Sequence, residues 1–180
     1  MEEKFKEIIK NSRASIEKKD LEILLPIIAS IKPTRVLEIG AWKGFSAEVW
    51  IKAFEPESFL TIEKDSKEIR ESYIEGLRYQ YWYSCDSHDP KVIPDIKNYY
   101  PEGFDFLFID GDHSFEGVMQ DFETYVPLVR EGGIIALHDI RYHVDKTEEV
   151  DIFWFGIRDK YPYVEIKARL QSTGMGVLFV

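Results

Sequence analysis

The side chains able to do chemistry gather where short apolar runs stop. Asp110-Gly-Asp112-His113 follows one such run and His138-Asp139 ends another, so each place sets a carboxylate beside an imidazole. A histidine titrates near neutral pH and can take the proton of an attacking hydroxyl, which makes His113 and His138 candidate general bases. Another apolar run stops at Gly40, and Gly44 and Ser46 follow it. Glycines there permit a sharp turn and let a ligand approach free backbone N–H groups at the start of a helix. A further run ends at Glu63, 23 positions after Gly40. An acid about 20 residues beyond such a turn is placed to bind the two hydroxyls of a ribose. The run before Cys85-Asp86-Ser87 ends where a polar group can meet the edge of a base.

The glycine spacing separates ligand classes. Gly40 and Gly44 do not make the GxGxxG turn that cradles a dinucleotide pyrophosphate, which argues against an NAD-binding oxidoreductase. The wider turn suits a ligand with an amino-acid end and no phosphate. Several of these residues also have a plain structural use. Asp112 can cap a helix beginning near Ser114, and His113 can hold its turn. Trp42 can cover a ligand or pack on a neighbouring helix. His88 and His143 read as solvated loop residues.

Strand ends must position these groups. Residues 34–40, 58–64, 79–85, 104–110 and 133–139 read as strands, with 44–54, 65–77, 89–99 and 114–129 as the intervening helices. This alternation predicts βαβ units and a parallel sheet, and continuous apolar strands predict helices on both of its faces. Residues 164–171 and 177–180, joined through Ser-Thr-Gly-Met-Gly, read as a hairpin and hence a locally antiparallel edge. Ahead of the sheet, residues 2–18 form an amphipathic helix. Asp20 is expected to cap a second one, which Pro26 bends or shifts.

Composition bounds the partners. The chain has 180 residues, 44% of them apolar, which fits one α/β domain with 1–33 as N-terminal helices and 34–180 as the core. With 23 basic and 33 acidic residues the net charge is −10, which disfavours nucleic acid and anionic membrane surfaces. One cysteine leaves no internal disulfide and no cysteine zinc cluster. The charged start, Met1-Glu2-Glu3-Lys4, lacks a signal-peptide core, so a cytoplasmic protein is expected.

The motifs resemble those of class I S-adenosylmethionine-dependent methyltransferases, across residues 35–180. Val36-Leu-Glu-Ile-Gly-Ala-Trp-Lys-Gly-Phe-Ser46 is similar to their first motif, and Ile62-Glu63-Lys-Asp65 to their ribose-binding motif. The segments 105–118 and 132–140 resemble a branch of small O-methyltransferase-like proteins. That branch is related to the macrocin and mycinamicin O-methyltransferases and to the cephalosporin hydroxylase. The resemblance implies a Rossmann-like, doubly wound seven-stranded sheet of order 3-2-1-4-5-7-6 with strand seven antiparallel. It implies methyl transfer to an oxygen of a small-molecule acceptor. Glu38, Gly40, Gly44 and Ser46 would surround the methionine part of S-adenosylmethionine, Glu63 the ribose, and Asp86 with Ser87 the adenine, with Asp110 also facing the cofactor. In that strand order the Asp110 and Asp139 ends are neighbours. Gathered carboxylates repel unless a cation or proton intervenes, and a hard ion such as Mg²⁺ takes such oxygen ligands. Asp110, His138 and Asp139 are then candidate ligands of Mg²⁺ or another divalent cation. Ile140 and His138 depart from the related metal-binding branches, which leaves the third ligand open. A non-catalytic cofactor binder, or a hydrolase- or hydroxylase-like relative, would keep the same fold.

The sheet and its helices use nearly all of the chain. Only the first ~30 residues and residues 141–148 are left to shape an acceptor site, since loops beside a rigid scaffold carry specificity. The acceptor would then meet a shallow cleft, or a second subunit of a homodimer would supply a wall.

Overall fold

The computed structural model describes residues 2–65, 80–141 and 149–180. Helices α1 (Glu3–Asn11) and α2 (Lys18–Ala29) precede β1 (Arg35–Ile39), α3 (Phe45–Phe54), β2 (Ser58–Glu63) and β3 (Gln80–Ser84). Then follow α4 (Val92–Tyr99), β4 (Phe104–Ile109), α5 (Phe115–Tyr125), β5 (Val129–His138), α6 (Val150–Ile157), β6 (Tyr163–Ile166) and β7 (Met175–Phe179). The helix expected over 65–77 lies, apart from Asp65, outside the described residues, as do His143 and residues 142–148. No helix among the described residues is long and apolar enough to cross a membrane.

The sheet has seven strands in the order β3-β2-β1-β4-β5-β7-β6. β1 pairs with β2 and β4, β2 with β3, and β4 with β5, all in parallel. β7 runs antiparallel to both β5 and β6. Every residue of β4 is buried, as a central strand covered on both faces requires.

Alternate strand residues feed two cores, because successive side chains point to opposite faces. Leu37, Ile39, Leu107, Ile109, Ile135 and Leu137 pack on one face beneath Val118, Phe122, Phe153 and Trp154 of α5 and α6. Val36, Phe59, Phe106, Phe108, Ile134 and Ala136 pack on the other, beneath Leu21, Leu25, Val49 and Trp50 of α2 and α3. The Trp50 ring meets Phe108 edge-on, with centroids 5.1 Å apart.

Local details depart from the sequence reading at four places. The N-terminal helix stops at Asn11, because Ser12 turns extended and its Oγ accepts from the Ala14 N–H at 3.2 Å. Serine offers the backbone such a local alternative to the helix. Asp20 does not cap α2. Glu17 does, accepting from the Lys19 N–H, while Asp20 is buried in the first turn and bonded to the far end of the chain. Pro26 sits inside α2. α5 ends at Tyr125, and β5 begins at Val129, earlier than expected. The hairpin strands are Tyr163–Ile166 and Met175–Phe179, with a longer connection between them.

Candidate functional site

The carboxyl ends of β1 to β5 open into one cleft of about 660 Å³, within the size range of small-ligand sites. Gly40 makes its floor. The residue has φ +85°, and a Cβ there would run into the carbonyl of Asp110, so only glycine lets the ends of β1 and β4 close together. The Gly40 N–H donates to the Ile62 carbonyl at 2.9 Å, and the Asp110 N–H donates to that of Ile39 at 2.9 Å. Gly44, at φ +75°, starts α3, whose first turn carries Phe45 and Ser46 into the cleft wall.

Six of the expected cofactor residues line this cleft: Gly40, Ser46, Glu63, Asp86, Ser87 and Asp110. Glu38 and Gly44 stand behind the wall. Glu38 is fully buried on the α3 side of β1, where it accepts from Trp50 Nε1 at 3.2 Å and Thr61 Oγ1 at 3.3 Å and bonds the Ser46 hydroxyl. Burial pushes its carboxyl up to about 8, against the pull of its hydrogen bonds and with help from the nearby Asp110 charge. Its bonds run to Ser46, Trp50 and Thr61, and it reaches the cleft through Ser46.

Glu63 ties the glycine turn to β2. One carboxylate oxygen accepts from the Trp42 N–H at 2.6 Å and the other from the Asp65 N–H at 2.8 Å. Trp42 itself is left-handed, at φ +44°, and 55% exposed at the cleft rim. It packs edge-on to Phe45, and the Lys43 ammonium lies 4.4 Å from its ring centroid. Asp86 accepts from the His88 N–H at 3.0 Å.

At the other end of the cleft the two acid/imidazole pairs meet. One oxygen of Asp110 lies 3.2 Å from His113 Nε2 and 3.1 Å from His138 Nδ1. Asp139 Oδ2 lies 3.6 Å and 3.2 Å from the same two nitrogens. Burial pulls the His138 imidazole down, but Asp110 and Asp139 together outweigh it and raise the ring to about 10. Burial pushes both carboxyls up. His138 and His113 overcome it at Asp110, and His138, Thr173 and His113 do so at Asp139, which falls well below the ordinary range. Asp112 takes the structural use: its Oδ1 accepts from the Ser114 N–H at 2.9 Å, and Ser114 caps α5 by accepting from the Gly117 N–H at 3.1 Å.

Asp110, His113 and Asp139 each bring one ligand atom within 4.8 Å of the others. Two carboxylate oxygens and one imidazole nitrogen suit a divalent cation. His138, expected in this set, has Nδ1 facing both carboxylates and Nε2 bonded to Thr173 Oγ1 at 3.1 Å.

Some cleft residues escaped the sequence reading. Ser15 and Ile16, from the break between α1 and α2, line it, within the N-terminal stretch expected to shape an acceptor site but where the sequence singles out no residue for it. His88 is not a plain loop residue, since it also lines the cleft and sets Nε2 3.1 Å from the buried Asp121. Tyr125 donates to the Ser87 carbonyl at 2.6 Å. Thr173 lines the cleft from the β6–β7 connection. Only the Ser12–Ser15 break carries a local sequence signal. The others depend on partners far away in the chain.

A doubly wound sheet of this strand order, with an antiparallel seventh strand and a ligand-sized cleft at the carboxyl ends, defines the class I methyltransferase fold. A family model described as a methyltransferase domain matches residues 37–140, and the chain belongs to that family. The same fold appears in the O-methyltransferase from Bacillus cereus in complex with SAH. That structure is 19% identical at TM-score 0.68, over 100% of this chain and 91% of that one. The O-methyltransferase TomG from Streptomyces achromogenes, in complex with SAM, is 15% identical at TM-score 0.71, over 100% and 90%. The MycE methyltransferase of the mycinamycin pathway, in complex with Mg, SAH and mycinamycin VI, is 18% identical at TM-score 0.68. There the match spans 97% of this chain but only 54% of that one. Among curated proteins, uncharacterized protein R132 of Acanthamoeba polyphaga mimivirus is 43% identical over 53 residues, 29% of this chain and 24% of that protein.

Proposed function

We propose that this chain moves a methyl group from S-adenosylmethionine to an oxygen of a small-molecule acceptor. The observation that carries the reading is the continuity of one cleft. It joins Glu63 and Asp86, at the ends of β2 and β3, to the acid/imidazole cluster at the ends of β4 and β5. When bound, the donor supplies a methyl group on a sulfonium, which leaves as the neutral thioether of SAH. Glu63 accepts from the ribose hydroxyls, Asp86 and Ser87 meet the base, and the Gly40 turn with Ser46 holds the amino-acid end. This arrangement orients the donor for in-line attack by the acceptor oxygen. The oxygen must lose its proton as the new bond to carbon forms. The His113 ring, one-third exposed in the cleft, is more accessible than the buried His138 and takes that proton on Nε2 once this nitrogen leaves the Asp110 oxygen 3.2 Å away.

The ligand-atom cluster favours a second use of His113. With a divalent cation held by Asp110, His113 and Asp139, the cation would lower the pKa of the acceptor hydroxyl. One nitrogen lone pair cannot serve both roles, so metal dependence separates them. The structural relative MycE holds Mg beside SAH. Calorimetric titration with SAH and with NAD tests the cofactor. SAH binding with no NAD binding is expected, and the absence of SAH binding defeats the proposal. A thermal shift with Mg²⁺, reversed by EDTA, assigns His113 to the cation; no shift leaves it the base.

A further inference from the structure

The Ser172-Thr173-Gly174 turn does more than connect β6 to β7. Thr173 Oγ1 lies 3.1 Å from His138 Nε2. Nδ1 of the same ring faces an oxygen of Asp110 at 3.1 Å and one of Asp139 at 3.2 Å, and carboxylates only accept, so Nδ1 carries a proton. With two negative charges beside it the ring also holds a proton on Nε2, which donates to the Thr173 hydroxyl. That hydroxyl therefore sets the orientation of the His138 ring. The neighbouring Asp139 stands on a left-handed backbone, at φ +59°.

The turn is itself held from a distance. The Thr173 carbonyl accepts from the Arg141 N–H at 2.9 Å. Ser172 Oγ accepts from the Gly174 N–H at 3.0 Å and donates to Asp20. Asp20 is 1% exposed on the first turn of α2, and its other oxygen accepts from the Ala168 N–H at 2.8 Å. A buried carboxylate is costly unless its oxygens are bonded. Asp20 does not cap its own helix, which Glu17 does, and its two oxygens accept from Ala168 and Ser172 in the β6–β7 connection, 148 and 152 residues away.

We infer that Thr173 is a positioning residue for His138, and that Asp20 holds it in place through Ser172. Its consequence for methyl transfer rests on the proposed function, but the hydrogen bond itself requires no donor, cation or acceptor. The chain labelled with ¹⁵N-histidine therefore tests it directly by NMR. The wild type is expected to show a His138 Nε2–H resonance protected from solvent, assigned by its loss in His138→Gln. Thr173→Val, which keeps the shape and removes the hydroxyl, is expected to abolish the protection. Thr173→Ser is expected to restore it, which separates a lost hydrogen bond from lost folding. Ser172→Ala is expected to retain the resonance but speed its exchange about tenfold, the effect of weakening one net hydrogen bond. A wild type without the protected proton, or its persistence in Thr173→Val, overturns the role of Thr173. Unchanged exchange in Ser172→Ala overturns the link to Asp20. SAH titration of the same variants keeps the proposed function separate. Preserved SAH binding with no protected proton defeats only this inference.

Discussion

β4 is bracketed by two aspartates that have opposite fates. Asp105, at its amino end, is buried and accepts four hydrogen bonds: Thr34 N–H at 2.6 Å, Thr34 Oγ1 at 2.8 Å, Arg35 N–H at 2.8 Å and Arg130 Nε at 2.5 Å. Asp110, just past its carboxyl end, places one oxygen between two imidazoles and faces the cleft. Backbone and arginine donors close the first site, and none of them changes protonation near neutral pH. Histidines flank the second, and an imidazole can carry a proton or ligate a cation. The difference follows from the parallel sheet. Ligand clefts open beyond the carboxyl ends of the strands, while the amino ends are free to be sealed.

The comparison can be broken by substitution. The largest expected effect is at Asp105. Asp105→Ala should destabilise by about 3 kcal/mol, because it strands buried backbone donors and an arginine. Urea denaturation measures it, and SAH binding to the folded protein should change little. Asp110→Ala should do the reverse, costing about 1 kcal/mol, because Asp139 still faces the His138 ring and the cleft lets water replace the lost carboxylate. It should abolish any stabilisation by Mg²⁺, read from the melting temperature with and without EDTA. Equal destabilisation by the two substitutions would end the distinction.

Smaller effects sharpen it. Glu63→Ala should weaken SAH binding about tenfold, the loss expected for charge-assisted hydrogen bonds to ribose that already hold the Trp42 turn. Isothermal calorimetry reads this, and unchanged affinity removes Glu63 from the site. The last test is a pH slope rather than a single substitution energy. Glu38 keeps its proton in the folded protein up to about 8, against 4.5 for an ordinary glutamate. The folded state then binds more protons across that window, so Glu38 makes stability fall as pH rises from about 4.5 to about 8. Glu38→Gln should flatten this slope in urea titrations. Asp105 works in the opposite sense. Burial pushes its carboxyl up, but Arg130 and the Thr34 and Arg35 donors hold it below the ordinary value, so its contribution is lost on acidification.

Much of the scaffold was legible because its signals are local. Continuous apolar runs mark β1, β2, β4 and β5, and helical spacing marks α5. Gly40 and Glu63 mark the glycine turn and the strand end that line the cleft by type and spacing alone. The α1–α2 break was missed because the apolar spacing of Phe5, Ile8, Ile9 and Ile16 outweighed the serines that end the helix. Asp20 carried a capping signal that Glu17 took instead, because the Asp20 oxygens found donors at Ala168 and Ser172. His88 read as solvent-exposed because nothing near it in the chain reveals the buried Asp121 carboxylate.

The sequence by itself determined the alternation of elements and the chemical types that stand at each strand end. Periodicities of two and 3.6 residues, and the conformational freedom of glycine, act within a few positions along the chain. Only the tertiary structure decided that His113 brings its Nε2 near the Asp110 and Asp139 oxygens as the third candidate ligand atom, while His138 turns to Thr173. It alone set Glu38 behind the wall and brought Ser15 and Ile16 into it. Those partnerships depend on the order and register of strands distant in the chain, which brings within hydrogen-bond reach side chains as far apart as His138 and Thr173, 35 residues, or Asp20 and Ser172, 152 residues.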